Sequence, residues 1–543
     1  MATLSLELAF PTLTPVEMDF LRSHAERREY ADGEVVFEAG DAAIPFFVVE
    51  SGELEIINPT ADNATVTTHG AATFAGDIDI LTRRPVIVTA VARGTKTVLL
   101  RVPNDHFRKI LHEIPSLGEK LVVAFTQRRR LLQDSGVLGI KVIGPATCAE
   151  TNIIREFLYK NFVPHTWFDV ASNDGIKVLK QVERTAKQAP VVVCPDGSVH
   201  SNPPLRTLSR CVGLYRECPN AEWDLAIVGG GPAGMAAAVY ASSEALSTVV
   251  LDRLGPGGQA AGSSLIENFI GFPSGLPGAE LGTRGALQMY KFGARFVTPV
   301  IVNRLEPGEP FHTLYSDGDE RIRAKVVLIA TGVKWRKLPA KNAERFEMAG
   351  IYYAATTVES RLCGGGTVLV VGGGNSAGQA AMFLSESCPD VRLIIRGDNF
   401  AKSMSNYLAA RIKDNPRIRI HLNSEIETVL GDRKLTGVEL IDKSTNEKQT
   451  INCCGVFVFI GAEPPTQWLP DQIARDAQGY LLTGADARAS GKWKLDREPC
   501  PLETSMPRVL AAGDVRAGST KRVGFAVGDG SLAVTCVHRL RTV

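Results

Sequence analysis

Two short glycine-rich turns, each launched by an apolar strand and followed by an alanine-rich helix pattern, constrain this chain more than any other feature. The first is Gly229-Gly230-Gly231-Pro232-Ala233-Gly234, after a strand at 224–228. The second is Gly372-Gly373-Gly374-Asn375-Ser376-Ala377, after a strand at 367–371. In such a turn the first glycine makes the sharp reversal, the second lets backbone approach a pyrophosphate, and the third position packs the helix on its strand. The helix N-terminus then offers free N–H groups and partial positive charge to the phosphates. One such turn is weak evidence. Two, about 140 residues apart, predict two doubly wound α/β units that each bind a dinucleotide. The strand that follows the first turn, at 248–251, ends in Asp252, spaced to hold a ribose hydroxyl.

The 543 residues exceed what one core supports and predict three or four domains. A formal net charge of +1 gives no global field for nucleic acid or an anionic membrane. The N-terminus carries Glu7 and lacks a basic leader with an apolar run, and no stretch reaches the roughly 18 apolar residues of a membrane span. A cytoplasmic protein with neither membrane nor nucleic acid as partner is expected. Ten cysteines without a dense framework fit reduced thiols, and no metal site is expected.

Ahead of the glycine turns the texture changes twice. From about 10 to 132, alternating runs at 34–37, 46–49, 54–57 and 86–91 are punctuated by Gly33, Gly40, Gly52, Gly70 and Gly76. This pattern predicts an all-β unit. A helix at 115–132 closes it, and its Arg128–Arg130 run reads as a solvated face. From 139 to 214 the order is strand, helix, strand, helix, strand, with a helix at 152–160 between strands at 140–143 and 166–170. The Ala189-Pro190 step ahead of a strand at 191–193 is a candidate cis bond.

Together with the two glycine turns, Gly257-Gly258-Gln259, Glu267-Asn268-Phe269, Ala330-Thr331-Gly332 and Gly513-Asp514-Val515 resemble the low-molecular-weight thioredoxin reductases over 223–543. The resemblance implies FAD, with Gly229, Gly231, Gly234 and Asp252 at its diphosphate and ribose. Gly258, Gln259 and Asn268 would lie along the flavin, with Thr331 and Gly332 at the same site. Gly513 and Asp514 would reach the ribityl–phosphate region, and a helix starting near Val523 would aim its N-terminus at the flavin. Gly372, Gly374 and Ala377 would hold a nicotinamide dinucleotide. Arg396, standing where NAD sites carry an acid, favours NADPH over NADH. The FAD domain is expected at 222–338 and 458–543, with the NAD(P) domain inserted at 339–457, and the assembly as a homodimer. The family's Cys-Ala-Thr-Cys is missing. The equivalent stretch reads Ala354-Ala355-Thr356-Thr357, and neither a methyl nor a plain hydroxyl replaces the thiolate that attacks a disulfide.

Residues 138–216 are similar to glutaredoxin- and thioredoxin-type folds, with Cys148 at the first cysteine of a CxxC whose second is Thr151. A cysteine ahead of a helix gains acidity from the dipole, so a monothiol redox site and an inert docking module both stay open. Residues 1–137 resemble the cyclic-nucleotide-binding β-roll through Gly33-Glu34, Gly40-Asp41, Gly52, Phe74-Ala75-Gly76-Asp77 and Arg84-Pro85. Asp77 takes the place of the ribose-binding glutamate. Val86 stands where the phosphate-binding arginine belongs, leaving Arg83 or Arg84 as substitutes. A structural or dimerising roll is favoured over a nucleotide receptor, since a buried phosphate without its arginine is costly.

These readings predict a multidomain FAD-dependent NAD(P)H oxidoreductase that passes electrons to a protein or small acceptor, with orientation supplying the catalysis. Three alternatives stay open: a disulfide reductase using Cys148, a ferredoxin- or flavodoxin–NADP reductase-like enzyme, and a cyclic-nucleotide-responsive redox sensor.

Overall fold

Strands buried on both faces are apolar throughout, and such runs are the interior strands of parallel sheets. Glu222–Val228, whose last four residues are buried, is one. In the computed structural model it sits centrally in a seven-stranded sheet, flanked in parallel by Thr248–Leu251 and Arg321–Ile329. Arg295–Val297 and Val509–Ala511 continue the parallel part, while Val302–Glu306 and His312–Ser316 add an antiparallel edge. The structure describes the chain except residues 1, 60–62, 83, 136–139, 147, 216–220, 264, 267, 348, 354, 356–362, 364, 400–403, 433 and 542–543.

Thr367–Val371 is likewise central in a second, wholly parallel sheet, in the order Ile351–Tyr352, Gly455–Val458, Thr367–Val371, Asp390–Ile394, Ile418–His421. An antiparallel triplet, Ser424–Gly431, Leu435–Asp442 and Lys448–Asn452, packs beside it. The chain passes between the two sheets through a short antiparallel pair, Lys334–Trp335 with Ala462–Glu463.

Residues 140–211 fold as β-α-β-α-β-β-α with strand order Val199–Ser201, Val191–Val193, Ile140–Ile143, His165–Phe168. Ile140–Ile143 pairs in parallel with His165–Phe168, and the Ala189-Pro190 bond is cis as anticipated. One expectation fails here. Cys194, after one strand, is disulfide-bonded to Cys211 at the end of the last helix. Seventeen residues separate them in sequence, and only the return of that helix over the sheet brings them together.

The N-terminal roll pairs Glu26–Tyr30, Thr89–Val102, Phe46–Asn58 and Ala64–His69. Phe46–Asn58 merges two runs that the sequence pattern separates at Gly52. The closing helix, Pro115–Ser135, corrects a second expectation: Arg128 and Arg129 are buried, at 6% and 3% exposure, and only Arg130 faces solvent. Arg128 lies over the Phe74 ring and donates to Phe74 O, Gly76 O and Ala9 O. One apolar cluster runs from Phe46, Phe107 and Phe125 of the roll through Phe162 of the module to Leu225 and Ile227 of the first sheet. The modules therefore share a core.

His312 tests this burial. Its Nδ1 accepts from Gly308 N and its Nε2 faces Pro507 O, the pattern of a neutral ring. Burial, helped by Arg508, pushes His312 down to about 4, and burial with Arg128 pushes His69 down to about 3. The unfolded chain therefore binds more protons below the ordinary value of 6.5. Unfolding free energy should fall by about 2–3 kcal/mol per histidine as pH drops from about 6.5 to 4.5. Denaturant titrations across that window measure the loss, and His312→Gln should flatten part of the slope.

Candidate functional site

The first glycine turn is built for close backbone approach. Gly229 adopts φ +111°, and a Cβ there would lie 2.3 Å from Ala330 O. A Cβ on Gly234 would lie 1.9 Å from Gly229 O, so the helix Pro232–Ser243 can start there only without a side chain. Gly258 crosses Gly231 so tightly that its Cβ would stand 2.7 Å from Gly231 Cα. Across the turn, Gly513 faces Ala233, and Gly530 of the helix Val523–Leu540 presses on Ala233 O.

Asp252 locks the cradle. Its Oδ2 accepts from Gly230 N at 2.7 Å, and its Oδ1 accepts from Leu254 N and Gly255 N, both at 2.8 Å. Three of roughly four lone-pair positions are used, which leaves capacity for one hydroxyl. Thr331 is placed beside the turn, and its buried Oγ1 has no protein partner. Gln259 Nε2 donates to Val333 O. Burial raises the Asp514 carboxyl above its usual range, with Lys521 opposing and Asp529 adding to the shift. Val523 begins the C-terminal helix as expected, and Phe269 approaches Gly524 in its first turn. Asn268 is at the surface, and its neighbour Glu267 lies outside the described residues.

The residues present fit FAD: a cradle that a Cβ would fill, a helix N-terminus behind it, and an orphaned buried hydroxyl at Thr331. The second turn repeats the design. Gly372 takes φ +140°, a Cβ there would meet Phe459 O at 2.3 Å, and Ala377 is fully buried in the helix Asn375–Ser385. Gly374 caps that helix, and Arg396 is exposed just past Asp390–Ile394. A guanidinium there is free of burial and suits a 2′-phosphate. Ala354, Thr356 and Thr357 lie outside the described residues.

Cys148 sits immediately before the helix Ala149–Lys160, as expected, and its thiol donates to Glu150 Oε2 at 3.0 Å. The other end of that helix touches the FAD cradle. Lys160 Nζ donates to Gly258 O at 3.1 Å, and Asn161 Nδ2 donates to Leu254 O at 2.8 Å. The 12-residue helix holds Cys148 about 18 Å along its axis from those contacts.

Nothing in the sequence singled out Asn161, which sits between the roll and the loop after Asp252. It is fully buried, and its carbonyl accepts from Arg84 of the roll. Burial depresses Arg84 below its ordinary value, while Tyr290 and Asp79 oppose the shift. Asp77, the expected ribose acid, instead pairs with Arg129 Nη2 at 2.5 Å, as does Asp79. The two roll residues proposed to meet a cyclic nucleotide are thus engaged within the protein. Arg83 lies outside the described residues.

The pyridine nucleotide-disulphide oxidoreductase family profile matches residues 223–530, and the cyclic nucleotide-binding domain profile matches residues 27–113. A thioredoxin reductase of Listeria monocytogenes is 31% identical over 317 residues, covering 57% of this chain and 91% of that one. A thioredoxin reductase of Treponema pallidum is 32% identical over 312 residues, covering 58% and 95%. Among solved structures, Lactococcus lactis thioredoxin reductase in its FR conformation aligns with TM-score 0.51 and 26% identity, over 59% of this chain and 99% of that one. Thioredoxin reductase of T. acidophilum aligns with TM-score 0.50 and 31% identity, over 59% and 98%.

The two cradles are separable by substitution. Gly229→Val should yield colourless protein with native circular dichroism. Gly372→Val should retain the visible absorbance of bound flavin while weakening NADPH binding at least tenfold, measured by titration of flavin fluorescence.

Proposed function

The chain belongs to the pyridine nucleotide-disulphide oxidoreductase family, and on that footing we propose that it carries electrons from NADPH through FAD to a protein or small-molecule acceptor. It is an FAD- and NADPH-dependent oxidoreductase of thioredoxin reductase type. The observation that carries the proposal is the paired, Cβ-intolerant cradle at Gly229 and Gly372, each opening onto a helix N-terminus. FAD, when bound, supplies the two-electron acceptor for the nicotinamide hydride. This chain's residues supply position. Gly229, Gly231 and Gly234 would admit the diphosphate, the remaining capacity of Asp252 suits a ribose hydroxyl, and Thr331 Oγ1 offers a hydroxyl in a buried setting. Gly372, Gly374 and Ala377 would hold the dinucleotide, with Arg396 at its 2′-phosphate.

The acceptor side departs from the thioredoxin reductases. With Ala354 and Thr357 in place of both cysteines, the family's internal thiol relay has no nucleophile. Cys148 is held by a helix whose opposite end docks at the cradle, which favours an acceptor reached directly over one routed through this thiol in this arrangement. A homodimer belongs to the same reading. For the roll we favour docking over reception: a cyclic phosphate would have to take Arg84 from Asn161.

Stopped-flow mixing with NADPH should bleach the flavin in wild type and Cys148→Ser at equal rates. Arg396→Ala should raise KM for NADPH about tenfold and leave KM for NADH nearly unchanged, the loss expected for one charge-assisted contact. Equal losses with both nucleotides would remove the 2′-phosphate assignment. Calorimetry with cAMP and cGMP should show no binding to wild type at millimolar ligand.

A further inference from the structure

The NADP-side sheet carries a second piece of chemistry at its opposite end. Cys363 precedes Thr367–Val371 and Cys454 precedes Gly455–Val458, and these two strands are parallel neighbours. A turn closed by Gly366 N donating to Cys363 O folds Cys363 back toward the adjoining strand, while Cys454 N donates to Thr367 O. The sulfurs then nest reciprocally. Cys363 Sγ lies 2.7 Å from where a Cβ on Gly455 would stand, and Cys454 Sγ lies 2.7 Å from where one on Gly366 would stand. Any side chain at either glycine would displace the sulfur that faces it.

We propose that Cys363 and Cys454 form a reversible dithiol–disulfide pair, oxidised by hydroperoxides, that staples the turn ahead of one strand to the start of its neighbour. The Cys454 thiol donates to Cys363 O at 3.5 Å and to Thr367 O at 3.2 Å, which holds it against the Cys363 backbone. Cys454 is partly exposed and Cys363 is buried, which orders the chemistry. Contact with Cys454 and burial push the Cys363 thiol up, whereas contact with Cys363 holds Cys454 below the ordinary thiol range. Exposure makes Cys454 the sulfur that a hydroperoxide reaches first and leaves Cys363 as the resolving one. Burial pushes Cys388 up and pushes Cys453 up to about 12, which disfavours both as the first nucleophile.

The Cys454 thiolate attacks one oxygen of a hydroperoxide, ROOH. An S–O bond forms, the O–O bond breaks, and the alkoxide leaves as ROH with the thiol's proton. The Cys363 sulfur then attacks the sulfenic sulfur, forming the S–S bond, and the hydroxyl leaves as water with the second thiol proton. The thiols lose two electrons and the hydroperoxide gains two. A dithiol reductant returns the pair to two thiols by exchange, its own two thiols becoming the disulfide. The pair stands at the N-terminal ends of strands whose C-terminal ends carry the glycine turn, one five-residue strand or about 17 Å away, so it lies off the nucleotide path.

Full-length protein treated with a few equivalents of hydrogen peroxide, alkylated with N-ethylmaleimide in denaturant and digested without reductant, should yield a cross-linked peptide joining Cys363 to Cys454. Dithiothreitol pretreatment should abolish it. In Cys363→Ser, dimedone should label Cys454; in Cys454→Ser, Cys363 should remain alkylatable. Full alkylation of both thiols in peroxide-treated wild type, or a bridge from Cys454 to Cys388 or Cys453 in place of Cys363, would overturn the proposal. The wild-type peptide map decides this even where a variant fails to fold.

Discussion

The Asp252 carboxylate is the interaction on which the rest of the arrangement hangs. By accepting from Gly230 N it holds the glycine turn open, and by accepting from Leu254 N and Gly255 N it shapes the next loop. Leu254 O in turn accepts from Asn161, whose own carbonyl accepts from Arg84. Three modules that are separate in sequence thus meet along one line of hydrogen bonds that ends at the cradle. Buried polar groups cost free energy when unpaired, so each member of this line is held in place by the next.

That line also explains what became of the roll. Here the helix Ile78–Thr82 is wholly buried, Asp77 and Asp79 share Arg129, and Arg84 reaches out of the roll to Asn161. Taking a guanidinium out of water is compensated only by good partners, and the protein supplies them from neighbouring modules. At Arg84 the roll forms an interface with the middle module. Arg129 adds to it by donating to Phe162 O of the middle module.

The middle module is fixed in the same way. A Cβ on Gly255 would collide with Asn161 Nδ2 and Lys160 Cβ, both at 2.9 Å, so the loop after Asp252 is shaped to receive the end of that helix. On the far side, Arg206 and Tyr215 of the module pair with Glu320 on the turn into Arg321–Ile329. Cys148 at the opposite helix end keeps its helix-cap position with Glu150 as partner.

Much of the fold was legible in the sequence because it is carried by local rules. A strand followed by a glycine turn and a small-residue helix has essentially one stable outcome, and Thr248–Leu251, Thr367–Val371, Ile140–Ile143 and Val191–Val193 appear where apolar runs placed them. The cradle glycines were readable for the same reason: each is demanded by a backbone conformation or contact a few residues away. What the sequence did not contain was the set of contacts between distant segments. Arg128 and Arg129 read as solvated because a charge run usually is, until Phe74, Asp77 and Asp79 supply partners more than 45 residues away. The pairings of Cys194 with Cys211 and of Cys363 with Cys454, and the place of Asn161 between three modules, depend on packing that no periodicity encodes. Local chemistry determined which residues can bind a dinucleotide; burial against remote partners, which fixes side chains only once the chain has closed, decided which charges and thiols remain available.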